Sequence, residues 1–223
     1  METGAEEGEG LPLLLAENLV IPLRSLSPLR IPRFVVPPSG FVAILADAQQ
    51  PLPARSRALL ETLSGDRRPA AGRIVYRNQD LAQSPAGWAK SHGLSLLGSG
   101  TGYEPAQSVE ANLLRSAGSA LPDWLFCFLP LEERLSLPAG RLSPVERRWL
   151  ALACVLAPRP RLLLLDRPLE GLPPLPRQAL LERLVRLNLE EGIAFCLTAK
   201  SNPLIETAAA STYRIASDLL IGE

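Results

Sequence analysis

Short runs that are apolar at every position alternate, in the second half of the chain, with longer segments whose apolar residues recur every three or four positions. Leu162–Leu165 is all leucine, Ile193–Thr198 is apolar almost throughout, and Phe41–Ala46 is a similar run directly after Pro38-Ser39-Gly40. Short continuous runs bounded by turn residues predict strands buried on both faces. Between them the period lengthens. Residues 175–191 predict an amphipathic helix, with Leu180, Leu184 and Leu187 on one face and Glu182, Arg183 and Arg186 elsewhere. Residues 143–157 predict another, opening on Ser143 with Glu146 at the third helical position, the reciprocal pattern of a capping box. Residues 54–64 predict a helix closed by Gly65, residues 108–135 helical segments broken at Pro122 and Pro130, and 203–210 a short helix. Leu13–Ile21, Gly72–Tyr76, Gly93–Leu96 and residues 213–221 predict further strands. Residues 22–33 carry three prolines and predict a loop or edge turn. Strands alternating with helices predict an α/β domain with a largely parallel sheet.

Composition narrows the function classes. A chain of 223 residues fits one α/β domain, or a core with a subdomain, and 47% apolar residues suffice for a substantial core. Zero formal net charge gives no electrostatic case for nucleic acid or an anionic membrane. No apolar run reaches the roughly 18–20 residues of a membrane span. Met1–Gly10 is acidic, lacks the basic start and apolar stretch of a signal peptide, and reads as a flexible tail, which points to the cytoplasm. Cys127, Cys154 and Cys196 are far apart with no CxxC pair, so reduced thiols are expected and no metal site. The lysines are Lys90 and Lys200 alone, and the histidine is His92.

Residues 141–172 read RLSPVERRWLALACVLAPRPRLLLLDRPLEGL. This stretch resembles the signature-to-aspartate segment of ATP-binding-cassette ATPases, in which LSGGQ, a helix, four apolar residues, Asp-Glu-Pro and a Gly-Leu-Asp turn follow one another. The resemblance extends over the chain after residue 10. Gly40–Leu45 resembles the strand before the phosphate loop, Leu59 to Gly65 the helix after it, Gly72–Leu81 the next hairpin, and Val109–Leu113 the start of the helical subdomain. It implies the P-loop NTPase-like fold of the cassette's nucleotide-binding domain: residues 11–223 form a mixed sheet flanked by helices, with a small helical subdomain at about 98–150. Phe41–Ala46, Leu162–Leu165 and Ile193–Thr198 should be neighbours in one sheet.

Against that pattern most of the catalytic positions are substituted. A phosphate loop needs glycines so that backbone N–H groups reach phosphate oxygens, a lysine for the β- and γ-phosphates, and a Ser or Thr for Mg²⁺. The interval Ala46 to Arg57 has neither glycine nor lysine and contains two prolines. Arg55, Ser56 and Arg57 are the residues there with residual capacity for nucleotide; the alternative is that the arginines are solvated. The family's glutamine after the strand Gly93–Leu96 is replaced by Leu97. Asp166 stands at the Mg²⁺-associated aspartate. Arg167 replaces the general-base glutamate and cannot accept a proton from water; it either pairs with Asp166 or a partner's carboxylate or is an exposed charge. Ser143 keeps the signature serine, as a contact to a partner's phosphate or simply as a helix cap. Ala199 replaces the switch histidine.

The expectation is therefore a non-catalytic cassette subunit of a membrane transport complex. It pairs head to tail with an ABC ATPase homologue or a second copy, binds a multi-span membrane permease, and sits peripherally on the inner face of the cytoplasmic membrane, with no nucleic-acid partner. No cofactor is expected, ATP and Mg²⁺ entering only through residual binding or at a partner's site. Two alternatives stand beside it: a subunit that binds ATP weakly or hydrolyses it slowly, and a soluble regulatory scaffold unrelated to transport. In the helical subdomain Trp124, Phe126 and Phe128 either pack into the core or anchor the permease. Alternating along a helix, they would splay over more than one face, leaving at least one substantially exposed.

Overall fold

The computed structural model describes residues 11–46, 52–98, 102–118, 120–121 and 123–222. The expected tail 1–10, positions 47–51 of the phosphate-loop interval and Pro122 lie outside these residues. Among the described residues ten strands form one sheet: β1 (Leu14–Leu23), β2 (Leu26–Val36), β3 (Phe41–Ala46), β4 (Ala71–Tyr76), β5 (Gln79–Asp80), β6 (Leu94–Leu97), β7 (Leu162–Asp166), β8 (Ala194–Lys200), β9 (Ser211–Ala216) and β10 (Leu219–Gly222). The helices are α1 (Leu52–Leu63), α2 (Trp88–Ser91), α3 (Val109–Ala117), α4 (Asp123–Phe128), α5 (Pro144–Leu156), α6 (Pro174–Glu191) and α7 (Pro203–Ala208).

The sheet order is β5-β4-β1-β2-β10-β9-β3-β8-β7-β6. Strands β9, β3, β8, β7 and β6 run parallel, while β1, β2, β4 and β5 pair antiparallel. The three apolar runs singled out from the sequence are thus adjacent. Their continuity has a simple cause, for both faces of these strands are covered. Ala43 and Leu45, Leu163 and Leu165, and Phe195 and Leu197 pack on the side of α3 to α7. Val42 and Ile44, Leu162 and Leu164, and Ala194 and Cys196 pack on the opposite side with α1 and the antiparallel strands. Tyr213 ties the two parts of the sheet together: its ring lies 4.6 Å from that of Phe34, and its hydroxyl accepts a hydrogen bond from the N–H of Val35 at 3.0 Å.

Two strand regions differ from expectation. The proline-bearing stretch 22–33 is not a loop but the turn and most of the second arm of the β1–β2 hairpin, with Ser25 in the turn at φ 62°. Leu29 and Ile31 are buried while Pro22, Pro28 and Pro32 are exposed. Pairing of β2 with β10 is limited to Arg30, so along the rest of that edge a missing N–H forfeits no ladder bond. Pro32 lies opposite Asn18, whose φ of 51° marks a break in the alternation of β1. The expected single strand 213–221 is a hairpin, β9 and β10, turned at Ser217 with φ 54°; Ser-Asp at that point is turn chemistry inside an otherwise strand-like run.

The helical stretch expected over 108–135 breaks earlier than its prolines predict: α3 closes at Gly118, φ 78°, α4 ends at Phe128, and beyond Pro130 only a 3-10 turn, Glu132–Arg134, follows. Gly192, at φ 66°, closes α6 and donates its N–H to the carbonyl of Asn188. On α3, the fully buried Asn112 binds the loop ahead of the helix, accepting from the N–H of Glu104 at 2.6 Å and donating to the carbonyls of Glu104 and Ser108 at 2.9 Å. Cys154 and Cys196 are buried and Cys127 is exposed, all three as free thiols. Burial pushes the pKa values of the two interior thiols up.

The all-leucine strand sets the expected cost of damaging the core. Leu164→Ala, at a position with no solvent exposure, should destabilise the protein by about 2–5 kcal/mol in urea unfolding. Leu189→Ala on the solvent face of α6, 76% exposed, should stay within about 0.5 kcal/mol.

Candidate functional site

Parallel α/β sheets build their sites at the carboxyl ends of the strands, and the one fully enclosed carboxylate of the described residues stands at such an end. Asp166 is the last residue of β7, with a side chain only 1% exposed. Its Oδ1 accepts the hydroxyl of Ser56 at 2.7 Å, the hydroxyl of Thr198 at 3.2 Å and Nε of Arg167 at 3.2 Å. Ser56 comes from the first turns of α1, Thr198 from β8 in register with Asp166. Oδ2 has no hydrogen-bond partner.

Arg167 turns back over the strand end. Its φ is 50°, its N–H donates to Thr198 Oγ1 at 3.0 Å, and Nη1 bonds Glu170. Burial alone would pull the guanidinium pKa down, but the hydrogen bonds and charges of Asp166 and Glu170 outweigh it and hold the pKa above the ordinary arginine value. Of the two open sequence readings for Arg167, the pair with Asp166 is the one present.

Arg55, next to Ser56, overturns the solvated reading. It is 6% exposed, and its Nε and Nη1 are buried without a hydrogen-bond partner. Helical position explains this: Arg55 precedes the inward-facing Ser56 and lies three residues before Ala58 and four before Leu59, both buried. Arg57 is exposed. Beyond Arg167 a cavity of about 270 Å³ is lined by Arg167, Glu170, Arg177, Ala199, Lys200 and Asn202. Arg177 Nε is also buried and unpartnered there.

The other predicted positions fall elsewhere. Leu97 does not follow its strand but ends it, paired with Leu165, so the residue after β6 is Gly98. Ala199 is likewise inside β8, which runs two residues further because Leu45 and Ala46 of β3 pair with Ala199 and Lys200. Ser143 is a helix cap: its Oγ accepts the Glu146 N–H at 3.2 Å and its own N–H donates to Glu146 Oε2 at 2.8 Å. The expectation that at least one of the three aromatics is substantially exposed fails: Phe128, at 2% exposure, belongs to the core, and Trp124 and Phe126 are half-buried and pack against it. Phe128 is held by Trp124 edge-on, with centroids 6.2 Å apart, and by the guanidinium of Arg186 at 5.3 Å. Thr198 escaped the sequence reading; a hydroxyl near the end of an otherwise apolar strand was its only signal.

A Mg²⁺–ATP group, implied by the resemblance, fits these residues poorly. The carboxylate that would hold the cation already carries a guanidinium, and the position of the water-activating carboxylate is that guanidinium. Among the described residues, the unpaired donors of Arg55 and Arg177 are those that match a phosphate oxygen.

A family model described as ABC transporter matches residues 58–170. The chain is 29% identical, over 165 residues and 70% of each chain, to the high-affinity branched-chain amino acid transport ATP-binding protein BraG of Pseudomonas aeruginosa. It is 35% identical, over 127 residues, to the cytochrome c biogenesis ATP-binding export protein CcmA of Bordetella bronchiseptica, a match covering 52% of this chain and 54% of that one. Among solved structures, CbiO1 from Clostridium perfringens, part of the ABC transporter complex CbiONQ, superposes with a TM-score of 0.78 at 20% identity, over 94% of this chain and 87% of the other. The ADP conformation of another ABC transporter's ATP-binding cassette gives 0.76 at 17% identity, over 95% and 90%. At these identities the structures establish the fold.

The cap of α5 generates a pH prediction. The hydrogen bond from Arg134, with those of Ser143, lowers the Glu146 carboxyl from 4.5 to about 2. A depressed carboxylate contributes stability that is complete above its unfolded pKa and is lost as the pH falls toward the folded one. Glu146→Gln should therefore lower the urea midpoint at pH 7, and its deficit against the wild type should close between pH 4.5 and about 2. Ser143→Ala should cost about 1 kcal/mol at pH 7.

Proposed function

The chain belongs to the ABC transporter family, and we propose that it is a nucleotide-binding-domain-type subunit that does not hydrolyse ATP. One observation carries this reading. Arg167 occupies the place next to Asp166 where a base would have to act, and its guanidinium is bonded to that carboxylate. A permanently protonated group accepts no proton from water, and losing even one positioned catalytic group costs orders of magnitude in rate. The scaffold around it keeps a complete core on both faces of the sheet, which fits a part retained for assembly.

In this proposal the subunit pairs with an ATPase homologue or a second copy and is held at the cytoplasmic membrane by a permease. Among the described residues no helix is long and apolar enough to cross a membrane. A cavity of about 550 Å³ opens among the end of α1, α2, β6 and the helical segment, with Ser64, Lys90, Leu96, Gly98, Arg115 and Cys154 in its lining. Its position beside the segment after β6 supports it as the seat of a permease helix; Trp124 and Phe126 do not line it and would be a separate point of contact. The relatives named above serve different cargoes, and no cargo is proposed.

A second reading, nucleotide binding without hydrolysis, is favoured by Arg55, whose two buried unpaired donors match a phosphate oxygen. The two readings separate in solution. With Mg²⁺–ATP the purified protein should release phosphate at the rate of a protein-free control. Calorimetry should give a Kd above about 1 mM, less than about 4 kcal/mol of binding. Phosphate release that is lost in Asp166→Asn would refute the non-hydrolysing reading. Micromolar binding that weakens at least tenfold in Arg55→Ala would establish the second one. Co-purification with an authentic cassette ATPase or a permease is expected from native membranes, and a monomer without partners would count against the complex.

A further inference from the structure

We propose that Arg167 is a tethered counter-ion that takes the place of a divalent cation, so that the Asp166 site is electrically complete without metal. The inference rests on the non-hydrolysing reading of the same site and deepens it. A carboxylate sealed to 1% exposure needs opposite charge within a few ångströms. A bound metal would be one source. Here the chain supplies it covalently, with Nε of Arg167 3.2 Å from Oδ1 and the far end of the guanidinium on Glu170.

The backbone shows that this placement is enforced. Arg167 holds a left-handed φ of 50°, which Arg77 and Arg159 also adopt but which is uncommon for a long side chain and here is held by a specific contact. Its N–H is fixed on Thr198 Oγ1 at 3.0 Å and Thr198 in turn bonds Asp166. The turn therefore aims the side chain back at the carboxylate it follows. Around the strand end the cations outnumber the carboxylates. Asp166 and Glu170 carry two negative charges, against Arg167, Arg55 beside Ser56, and Arg177 and Lys200 in the lining of the adjoining cavity. A cluster with no surplus negative charge has nothing to attract a further cation, so the atoms with free lone pairs, Asp166 Oδ2 and Ser56 Oγ, do not by themselves suffice to hold one.

The test uses Mn²⁺ as the probe, without nucleotide, so that its outcome is independent of phosphate release. Titrating the full chain and following free Mn²⁺ by electron paramagnetic resonance should show no saturable site in the low-millimolar range. Arg167→Gln removes the tethered charge; its Tm should fall by several degrees, and a Mn²⁺ site should appear that Arg167→Gln combined with Asp166→Asn abolishes. Arg167→Lys keeps a cation at the position and should recover part of the Tm while excluding Mn²⁺. If Arg167→Gln fails to fold, a folded Arg167→Lys that excludes Mn²⁺ still supports the proposal. Saturable Mn²⁺ binding by the wild type that disappears in Asp166→Asn would overturn it, as would an Arg167→Gln protein as stable as the wild type and blind to Mn²⁺. Phosphate release by a wild type that binds no Mn²⁺ would instead sink the non-hydrolysing reading and leave the counter-ion in place.

Discussion

A carboxylate cannot be enclosed in a protein interior for nothing; unmatched, its desolvation costs several kcal/mol. Asp166 is enclosed at the meeting point of three elements, and each provides a donor: Ser56 from α1, Thr198 from β8, and Arg167 from the turn beyond β7. The geometry of this corner follows from that requirement. α1 must bring its first turns to the strand end, β8 must lie in register with β7 through Asp166 and Thr198, and the chain must reverse sharply at residue 167. Substituting any of the donors leaves the charge in place with less to balance it.

Around this corner the sheet divides the molecule's two interiors. The central parallel strands send alternate side chains into each, which makes them tolerant of nothing but apolar residues along most of their length. The antiparallel strands have a different task. They wrap one interior only, so their sequences alternate, and they carry the prolines that the central strands could not accept.

This division explains how much could be read from the sequence. The central strands and the long helices were legible because two-sided burial and a 3.6-residue period leave strong patterns, and Ser143 with Glu146 announced the start of α5. The β1–β2 hairpin was hidden because prolines mark loops on average, and only the lack of pairing along one edge of β2 makes them harmless here. Strand ends were off by one or two residues at Leu97 and Ala199, since a strand continues for as long as its neighbour supplies partners, and the neighbour is remote in sequence. The two readings of Arg55 stay open in the sequence for a related reason. Nothing local distinguishes it from Arg57; the difference is that one side of α1 faces the sheet and the other does not. The match to the cassette pattern located Asp166 and Arg167, but that they bond each other is a property of the fold.

The distribution of thiols has a use. The thiolate is the reactive form of cysteine, and burial both raises the pKa values of Cys154 and Cys196 and shields them from reagents. Cys127 is the exposed one, on α4 between Phe126 and Phe128. The unaltered chain thus carries a chemically addressable handle on its helical segment. A fluorophore or spin label attached there sits beside Trp124 and Phe126 and would sense whatever approaches that helix, with no residue of the protein replaced.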